Sequence, residues 1–355
     1  MTRFSTLALL GVFLLAPAVA GQGIPYDSTA PGLLSDYQLV SGSPGHGGLS
    51  GSFGYQANGR APAWYVLSTP ISARSRPGSA TIGGKDFYVI GGETPGGGRA
   101  DFVEIWDRQT DTWSQSASRM PIPVSNIMGS CVFSGGQMYV FGGLDINGVV
   151  RDEIQVYDPT MDSWTVHPTR LPAPRYGVGV SNIYGGDILV CGGADSGFFY
   201  GDSYIFNNST GTFSTGPAMA DADYMITITN IPNSADGKVY MTGFATDTFL
   251  QVYDTATGTF SRGPSFRADP VNGQSRAGCG MDNVGARVFI YGGDWTGYRS
   301  DTEYYDVLSG QQKKTATLEL NVGRRAFAYG PLPCPGCYAS HGWNGNYLQH
   351  GEGAR

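Results

Sequence analysis

The chain has 355 residues, of which 41% are hydrophobic and only 14% are charged, with 54 glycines and 21 prolines. This composition favours many short strands joined by turns over helices, and an aromatic content of 12% excludes an extensively disordered chain. The formal net charge is −7 and the basic residues form no cluster, which excludes a typical nucleic-acid-binding surface.

The first twenty residues have the features of an export signal. Arg3 gives a positive start, an apolar run covers residues 7–15, and the Ala-Val-Ala tripeptide at 18–20 provides a cleavage site. The run is shorter than the roughly 20 apolar residues of a spanning helix. We therefore predict cleavage near Gly21 and a secreted protein with no membrane span after cleavage, extracellular or, in a bacterium, periplasmic. A Gly/Ser-rich segment follows at residues 21–50.

Three landmarks recur along the chain with one period. The first is an apolar run ending in a glycine pair, at intervals of 51, 50, 50 and 50 residues: Gly91-Gly92, Gly142-Gly143, Gly192-Gly193, Thr242-Gly243 and Gly292-Gly293. The second, 11 to 15 residues after the start of each pair, is an aromatic residue followed by Asp or Asn. The third stands six residues after that Asp or Asn: Trp113, Trp164, Phe213, Phe260 and, as an exception, Gln312.

These landmarks resemble the kelch motif, and the resemblance covers about residues 75–330. It implies an all-β fold, a β-propeller in which each repeat supplies a four-stranded antiparallel blade. Thr242 and Gln312 depart from the motif. In the second repeat the strands are expected near residues 128–133, 137–141, 153–157 and 163–167.

Five complete copies require a closing element. Residues 322–330 look like the first strand of a sixth repeat, although no strand ending in a glycine pair follows, and residues 51–70 can supply outer strands. We predict a propeller over residues 51–333 with six blades, closed by strands from both termini, and seven blades as the alternative. Closure removes open sheet edges. Residues 334–355 are predicted to form a C-terminal tail.

Five cysteines are present, three of them in predicted strands. Cys334 and Cys337 are spaced closely enough for a small disulfide loop, which suits an exported chain; free thiols are the other interpretation. A zinc site would need two further ligands, for which only His341 and His350 lie nearby in the sequence.

Arginines open the first strand of several repeats, and in several kelch propellers such arginines ring the central mouth and contact ligands. The loop between the second and third strands lies on the same face and carries aromatic residues in the third and fifth repeats. The resulting candidates for ligand binding are Arg76, Arg175, Arg276, Arg325, Phe199, Tyr200, Trp295 and Tyr298, with Arg324 as the alternative to Arg325. Guanidinium groups bind carboxylates bidentately, and aromatic rings suit sugar faces or apolar side chains. The other interpretation is that these arginines pair with acids at strand ends.

Overlapping sequons at Asn207 and Asn208 fall in a turn predicted between the third and fourth strands. Such a turn lies on the face opposite the arginines. A glycan at either asparagine would leave the mouth clear.

Two enzyme classes compete with a binding role. A copper radical oxidase of the galactose-oxidase type needs two imidazoles, and of the four histidines only His167 falls inside the predicted repeats, near the outer rim. A metal-free sugar-acid mutarotase or epimerase would use Arg175, Arg276 and Glu93 as clamp and proton shuttle. The sequence favours a monomeric binding or adhesion module without a cofactor or metal, whose partner is an acidic carbohydrate or a protein.

Overall fold

The computed structural model describes residues 37–39, 55–57, 63–82, 86–229, 236–266, 276–284, 286–295, 297–332 and 336–354. Within these ranges the regular structure is strand, apart from a 3₁₀ helix at Tyr184–Gly186. Six antiparallel sheets have four strands each, and Tyr37–Leu39 pairs separately with Tyr55–Ala57. The signal peptide predicted at residues 1–20 lies outside the described residues.

None of the helical structure in the described ranges is long and apolar enough to cross a membrane.

Each four-stranded sheet is a blade whose strands follow one another outward from the ring axis. Blades 1 to 3 consist of Gly78–Ile82, Asp86–Ile90, Val103–Asp107 and Thr112–Gln115; Cys131–Ser134, Gln137–Leu144, Val150–Asp158 and Ser163–Arg170; and Gly179–Asn182, Ile188–Cys191, Ser203–Asn207 and Thr212–Thr215. Blades 4 to 6 consist of Thr227–Ile228, Lys238–Thr242, Phe249–Asp254 and Thr259–Ser265; Gly280–Val284, Arg287–Tyr291, Asp301–Asp306 and Gln311–Glu319; and Ala328–Leu332, Gly336–Ser340, Gly351–Ala354 and, outermost, Trp64–Leu67.

The innermost strand of each blade contacts the innermost strands of both neighbours, and blade 6 contacts blade 1. The chain is therefore a closed six-bladed β-propeller, as the six-blade prediction required. Apolar clusters fill the spaces between adjacent blades; between blades 2 and 3, for example, Phe141 and Tyr139 pack against Phe206. Neither face of a blade is left unpacked, which is why single repeats need their neighbours.

Blade 6 contains strands from both ends of the chain, because Trp64–Leu67 pairs with Gly351–Ala354. The clasp continues at Ser68, whose backbone N–H donates to both carboxylate oxygens of Asp111 at 3.0 and 3.2 Å. The predicted closure from both termini is confirmed in this arrangement.

The boundary predicted at residue 333 is corrected, because the supposed tail supplies two strands of blade 6. The first of these two, Gly336–Ser340, is the second strand of blade 6 and is followed by His341-Gly342, with φ of 62° and 107°. The same left-handed backbone occurs at the glycine pairs of blades 1, 2, 3 and 5. A histidine in the first position of the pair therefore hid the sixth copy of the motif.

The repeated landmarks have direct structural roles. Tyr157 lies opposite Trp164 in the strand ladder, with ring centroids 5.1 Å apart, and the same pairing recurs in blades 3 and 4. Asp158 accepts hydrogen bonds from the backbone N–H groups of Thr160 and Met161, at 2.9 and 3.0 Å. The aromatic pair fills the core, and the acid closes the turn between the third and fourth strands.

Candidate functional site

The first strand of every blade is preceded by one residue in the left-handed region, with φ between 51° and 70°: Arg76, Asn126, Gly177, Met225, Gly278 and Ala326. We call these the neck residues. They join neighbouring blades through the backbone: Arg76 N–H donates to the carbonyl of Ala326, and Ala326 N–H donates to that of Gly278, both at 2.8 Å. These bonds join the blades around the ring axis, and we call the central region of the face where the first strands begin the mouth.

The mouth has an apolar floor. Met128, Met225 and Ala326, from blades 2, 4 and 6, pack together at the neck. Further along the first strand of blade 6, the hydroxyl of Tyr329 reaches blade 4, where it accepts from Ile228 N–H at 3.0 Å and donates to Ile228 C=O at 3.3 Å. A ligand entering the mouth therefore meets a floor of side chains.

One side of the mouth is an aromatic wall. Phe199 stacks on Tyr224 with ring centroids 4.3 Å apart and an interplanar angle of 17°. Tyr224 contacts Phe244 at 5.2 Å, and Phe244 meets Trp295 edge to face at 5.2 Å. Blades 3, 4 and 5 thus contribute one continuous apolar surface, and the outer ring of Phe199 is 52% exposed.

Two arginines flank the far end of this wall. The Cζ atom of Arg325 lies 3.6 Å from the centroid of the Trp295 ring, and that of Arg76 lies 5.5 Å from it. Arg76 Nη1 pairs with Glu93 Oε2 at 2.8 Å, whereas Nε and Nη1 of Arg325 are buried without an acceptor among the described residues. Burial lowers the pKa of the Arg325 guanidinium, and the Arg76 charge acts in the same direction.

Arg175 and Arg276 do not line the mouth, and the prediction that they bind a ligand there is wrong. Arg276 is 1% exposed and its Nη2 pairs with Asp301 at 3.1 Å and Glu303 at 2.7 Å. Arg175 is equally buried and pairs with Asp202 at 2.8 Å. Each stands two residues before a neck residue, so its side chain lies inside its own blade.

Arg74 and Arg324 occupy the same position in blades 1 and 6, and the sequence analysis missed Arg74 altogether. All four of these arginines donate from Nη1 to the carbonyl of the first residue of the glycine-pair motif, at 2.9 to 3.1 Å: Gly91, Gly192, Gly292 and His341. The strand ladder ends at that carbonyl, and a buried acceptor needs a donor. The buried arginines are therefore part of the fold.

The remaining ligand-binding candidates divide between the mouth and its support. Tyr298 lies at the mouth, its ring 5.6 Å from Arg325 Cζ. Tyr200 supports the mouth from within blade 3. The Arg175 Cζ atom lies 4.0 Å from the centroid of the Tyr200 ring, and the Tyr200 hydroxyl donates to Asp195 at 2.7 Å.

Sequence reasoning missed Tyr176, Tyr224 and Phe244, which line the mouth. Their positions in the repeat could have indicated this role, because each stands either directly before a neck residue or directly after a glycine-pair motif. Tyr347, also missed, donates its hydroxyl to Glu93 beside Arg76.

Asn207 and Asn208 lie in the turn between the third and fourth strands of blade 3, on the face away from the mouth. Asn207 Oδ1 accepts from the N–H groups of Ser209 and Thr210, so it closes the turn of blade 3 in the way that Asp158 closes the turn of blade 2. Asn208 Nδ2 donates to Ser134 Oγ at 3.3 Å. Glycosylation of either residue stays a prediction.

The predicted disulfide is not formed at Cys337, which is a free and buried thiol, while Cys334 lies outside the described residues. Cys337 sits on the second strand of blade 6, where its side chain faces the core and interacts with the buried carboxyl of Asp282. Burial raises the pKa of this thiol. Cys131, Cys191 and Cys279 are also free and buried.

The histidines are distributed differently from the prediction. His167 lies on the outermost strand of blade 2, as expected, but His341 also lies within the propeller, buried, with Nε2 3.2 Å from Glu104 Oε2. His46 is outside the described residues. In the part of the chain that the structure describes, no group of three His, Cys, Asp or Glu side chains is arranged to hold a metal ion.

Comparison with known proteins agrees with this architecture. A model of the KLHDC2/KLHL20/DRC7 Kelch-repeats domain matches residues 60–224. Human Kelch-like protein 33 is 28% identical over 144 residues, or 38% of this chain and 25% of that protein; beta-scruin of Limulus polyphemus is 30% identical over 137 residues, or 37% and 14%. The chain belongs to the kelch-repeat proteins.

An F-box/kelch-repeat protein of Arabidopsis thaliana is 24% identical over 226 residues, or 62% of this kelch-repeat protein and 55% of that relative. The chain thus spans 14% to 55% of the lengths of these three relatives. Among solved structures, that of YjhT matches with a TM-score of 0.66 at 16% identity, covering 81% of this chain and 96% of YjhT, which shows the fold alone. Kelch propellers typically serve as protein-binding modules.

Proposed function

We propose that this kelch-repeat protein is a binding module that holds an acidic segment of a protein partner at the mouth. The observation that carries the proposal is the pair of guanidinium groups at the mouth: the Cζ atoms of Arg325 and Arg76 lie 3.6 and 5.5 Å from the centroid of the Trp295 ring, and Arg325 forms no ion pair with an acid among the described residues. A carboxylate offers two oxygens to a guanidinium group, and a hydrogen bond to a charged group contributes about 1.5–3 kcal/mol.

The rest of the mouth favours a polypeptide over a sugar. The floor of Met128 and Met225 and the wall around Tyr224 are apolar, and Phe198 on the rim is 72% exposed beside Phe199. A peptide brings a carboxylate and apolar side chains within a few residues of each other, whereas a sugar acid would leave the exposed ring of Phe198 without an apolar partner.

The test uses the purified protein on two arrays, one of acidic peptides with Asn/Gln-substituted counterparts and one of acidic glycans. We expect acidic peptides to bind, their neutral counterparts to bind less, and the affinity to fall with added salt. Arg325→Gln should weaken binding about 10- to 100-fold. The matched control is Arg262→Gln, an exposed arginine paired with Asp221 on the outermost strand of blade 4.

Two outcomes would count against the proposal. Unchanged peptide affinity in Arg325→Gln would show that Arg325 does not bind the carboxylate. Binding of acidic glycans alone would show that the ligand is a carbohydrate and not a protein.

We also propose that the module is exported, on the evidence of the apolar run at 7–15 and the Ala-Val-Ala site at 18–20. Mass spectrometry of secreted material should find an N-terminus near Gly21. Secreted protein that retains Met1 would contradict the proposal.

A further inference from the structure

Blade 4 has an acid where four other blades have a buried arginine. Asp223 stands two residues before the neck residue Met225, in the position of Arg74, Arg175, Arg276 and Arg324. Its side chain is fully buried, and no cationic side chain among the described residues forms an ion pair with it. Burying a carboxylate without a cation disfavours its ionised form, so the other groups that hold Asp223 decide how it ionises.

The carboxyl group of Asp223 is held by donors from two segments of blade 4. Oδ1 accepts from the backbone N–H groups of Tyr224 and Ala245, both at 2.8 Å, and Oδ2 accepts from the hydroxyl of Thr246. The group lies against the Cα atom of Gly243, where a Cβ atom would overlap it. Asp223 therefore ties the start of the first strand to the loop between the second and third strands.

That loop forms part of the aromatic wall of the mouth. Phe244 lies on it, its ring contacts that of Tyr224, and its N–H donates to the Tyr224 carbonyl at 2.9 Å. Tyr224 in turn directly follows Asp223. Any change in how tightly the carboxyl group holds residues 244–246 thus changes the order of the wall.

The other titratable groups near Asp223 stay neutral where it titrates. They are the Cys191 thiol of blade 3 and the Tyr224 phenol, and burial raises the pKa of both. The Arg175–Asp202 pair acts on the Cys191 thiol from farther inside blade 3. Asp223 is therefore the group of this cluster that changes charge between pH 5 and pH 8.

Burial raises the pKa of Asp223 to about 6, against the opposing effect of its hydrogen-bond donors, of which the Thr246 hydroxyl is the strongest. If the loop opens, water reaches the carboxylate and its pKa returns toward the ordinary 3.8. Linkage then requires that ionisation favour the open loop and protonation the closed one.

We propose that Asp223 is a pH-sensitive positioning residue of the mouth: its protonation closes the 244–246 loop and orders the aromatic wall, and its ionisation loosens both. The inference rests on the proposed function only in assigning that wall a ligand; the loop equilibrium belongs to the free protein. From the two pKa values, the opening constant should be about tenfold larger at pH 7.5 than at pH 5.

Hydrogen exchange measured by mass spectrometry on the free protein tests the proposal. After correction for intrinsic exchange rates, peptides covering residues 244–248 should be about tenfold better protected at about pH 5 than at about pH 7.5. Asp223→Asn should abolish this difference. The control Asp195→Asn, in the mouth-face loop of blade 3, should keep it. Equal protection of the wild type at both pH values, or a persisting difference in Asp223→Asn, would overturn the proposal.

A second variant covers the case in which Asp223→Asn does not fold. Thr246→Val removes the donor to Oδ2, which should raise the pKa of Asp223 further and shift the midpoint of the protection curve to higher pH. An unchanged midpoint would also overturn the proposal. A negative result in hydrogen exchange would not bear on peptide binding by Arg325. A negative result in peptide binding would not change the exchange profile of the free protein, so the two proposals can fail separately.

Discussion

The guanidinium of Arg325, from blade 6, stacks on the ring of Trp295, from blade 5, with 3.6 Å between Cζ and the ring centroid. Arg76 of blade 1 approaches the same ring at 5.5 Å. No single repeat therefore contains the candidate site, which exists only because the neck hydrogen bonds hold adjacent blades in a fixed relation.

Replacing Trp295 should weaken binding of acidic peptides without unfolding the protein. A cation–π contact contributes about 0.5–2 kcal/mol, so Trp295→Leu should lower the affinity about 2- to 30-fold. Trp295→Phe keeps a ring beneath Arg325 and should recover most of that loss. Fluorescence-polarisation titrations with one array-selected acidic peptide would measure both variants. Wild-type affinity in Trp295→Leu would show that Arg325 does not depend on the ring.

Removing Arg276 should destabilise the fold. Arg276→Ala removes the guanidinium that pairs with Glu303 and Asp301, although Asp301 keeps its pair with Arg299, and breaking a buried pair by removing one partner costs about 3–5 kcal/mol. Urea denaturation gives the free energy of unfolding. The control Arg262→Ala breaks a surface pair and should cost about 1 kcal/mol or less. Normal stability in Arg276→Ala together with lost peptide binding would return Arg276 to a ligand-binding role.

The sequence was sufficient for the blades because its landmarks are paired across strands. Tyr157 and Trp164 face each other in the ladder, and Asp158 closes the turn between them, so the periodic pattern reports local structure directly. The sixth blade was only half recognised, because His341 replaces the first glycine of its pair.

The site was harder to predict because three kinds of arginine look alike in the sequence. Arg276 stands two residues before a neck residue, Arg325 one residue before, and Arg76 is itself a neck residue. In extended backbone a shift of one residue moves a side chain to the other face, and here it separates a structural arginine from one at the mouth. The neck residue is defined by its positive φ. Residue types such as those of Arg76, Met225 and Ala326 do not indicate that conformation in the sequence.

The hydroxyl of Tyr329 should contribute to stability across the channel. Tyr329→Phe leaves the N–H and C=O of Ile228 without their partner, which should cost about 1–3 kcal/mol of unfolding free energy. Thermal or urea denaturation measures the loss, with Tyr184→Phe as a control at an exposed tyrosine. Equal loss in both variants would mean that the bridge to blade 4 contributes nothing specific.

The buried cysteines should resist alkylation until the protein unfolds. Cys131, Cys191, Cys279 and Cys337 are free thiols, and burial raises the pKa of each, which suppresses the reactive thiolate. Iodoacetamide without a reductant should leave all four unmodified in the native protein and label all four in urea, as read by peptide mass spectrometry. A Cys337 peptide that needs a reductant for labelling would restore the disulfide with Cys334.

His341 should make the fold less stable as the pH falls. Burial lowers its pKa from 6.5 to about 4, against the opposing effect of Glu104, so the folded state holds a neutral imidazole while the unfolded chain binds a proton. The stabilisation is complete above pH 6.5 and is lost as the pH falls through about 4, a total of about 3 kcal/mol.

The measurement compares unfolding free energies of the wild type and His341→Gln in urea at several pH values between about 7.5 and 4.5. Asp223 titrates in the same range with the opposite sign, but it is present in both proteins and cancels in the difference. The wild type should lose stability relative to His341→Gln at up to about 1.4 kcal/mol per pH unit below pH 6.5, because the variant cannot take up the proton. His167→Gln, on the outermost strand of blade 2, should follow the wild-type curve. Parallel curves for the wild type and His341→Gln would mean that the imidazole is already protonated in the fold, as the cation of an ion pair with Glu104.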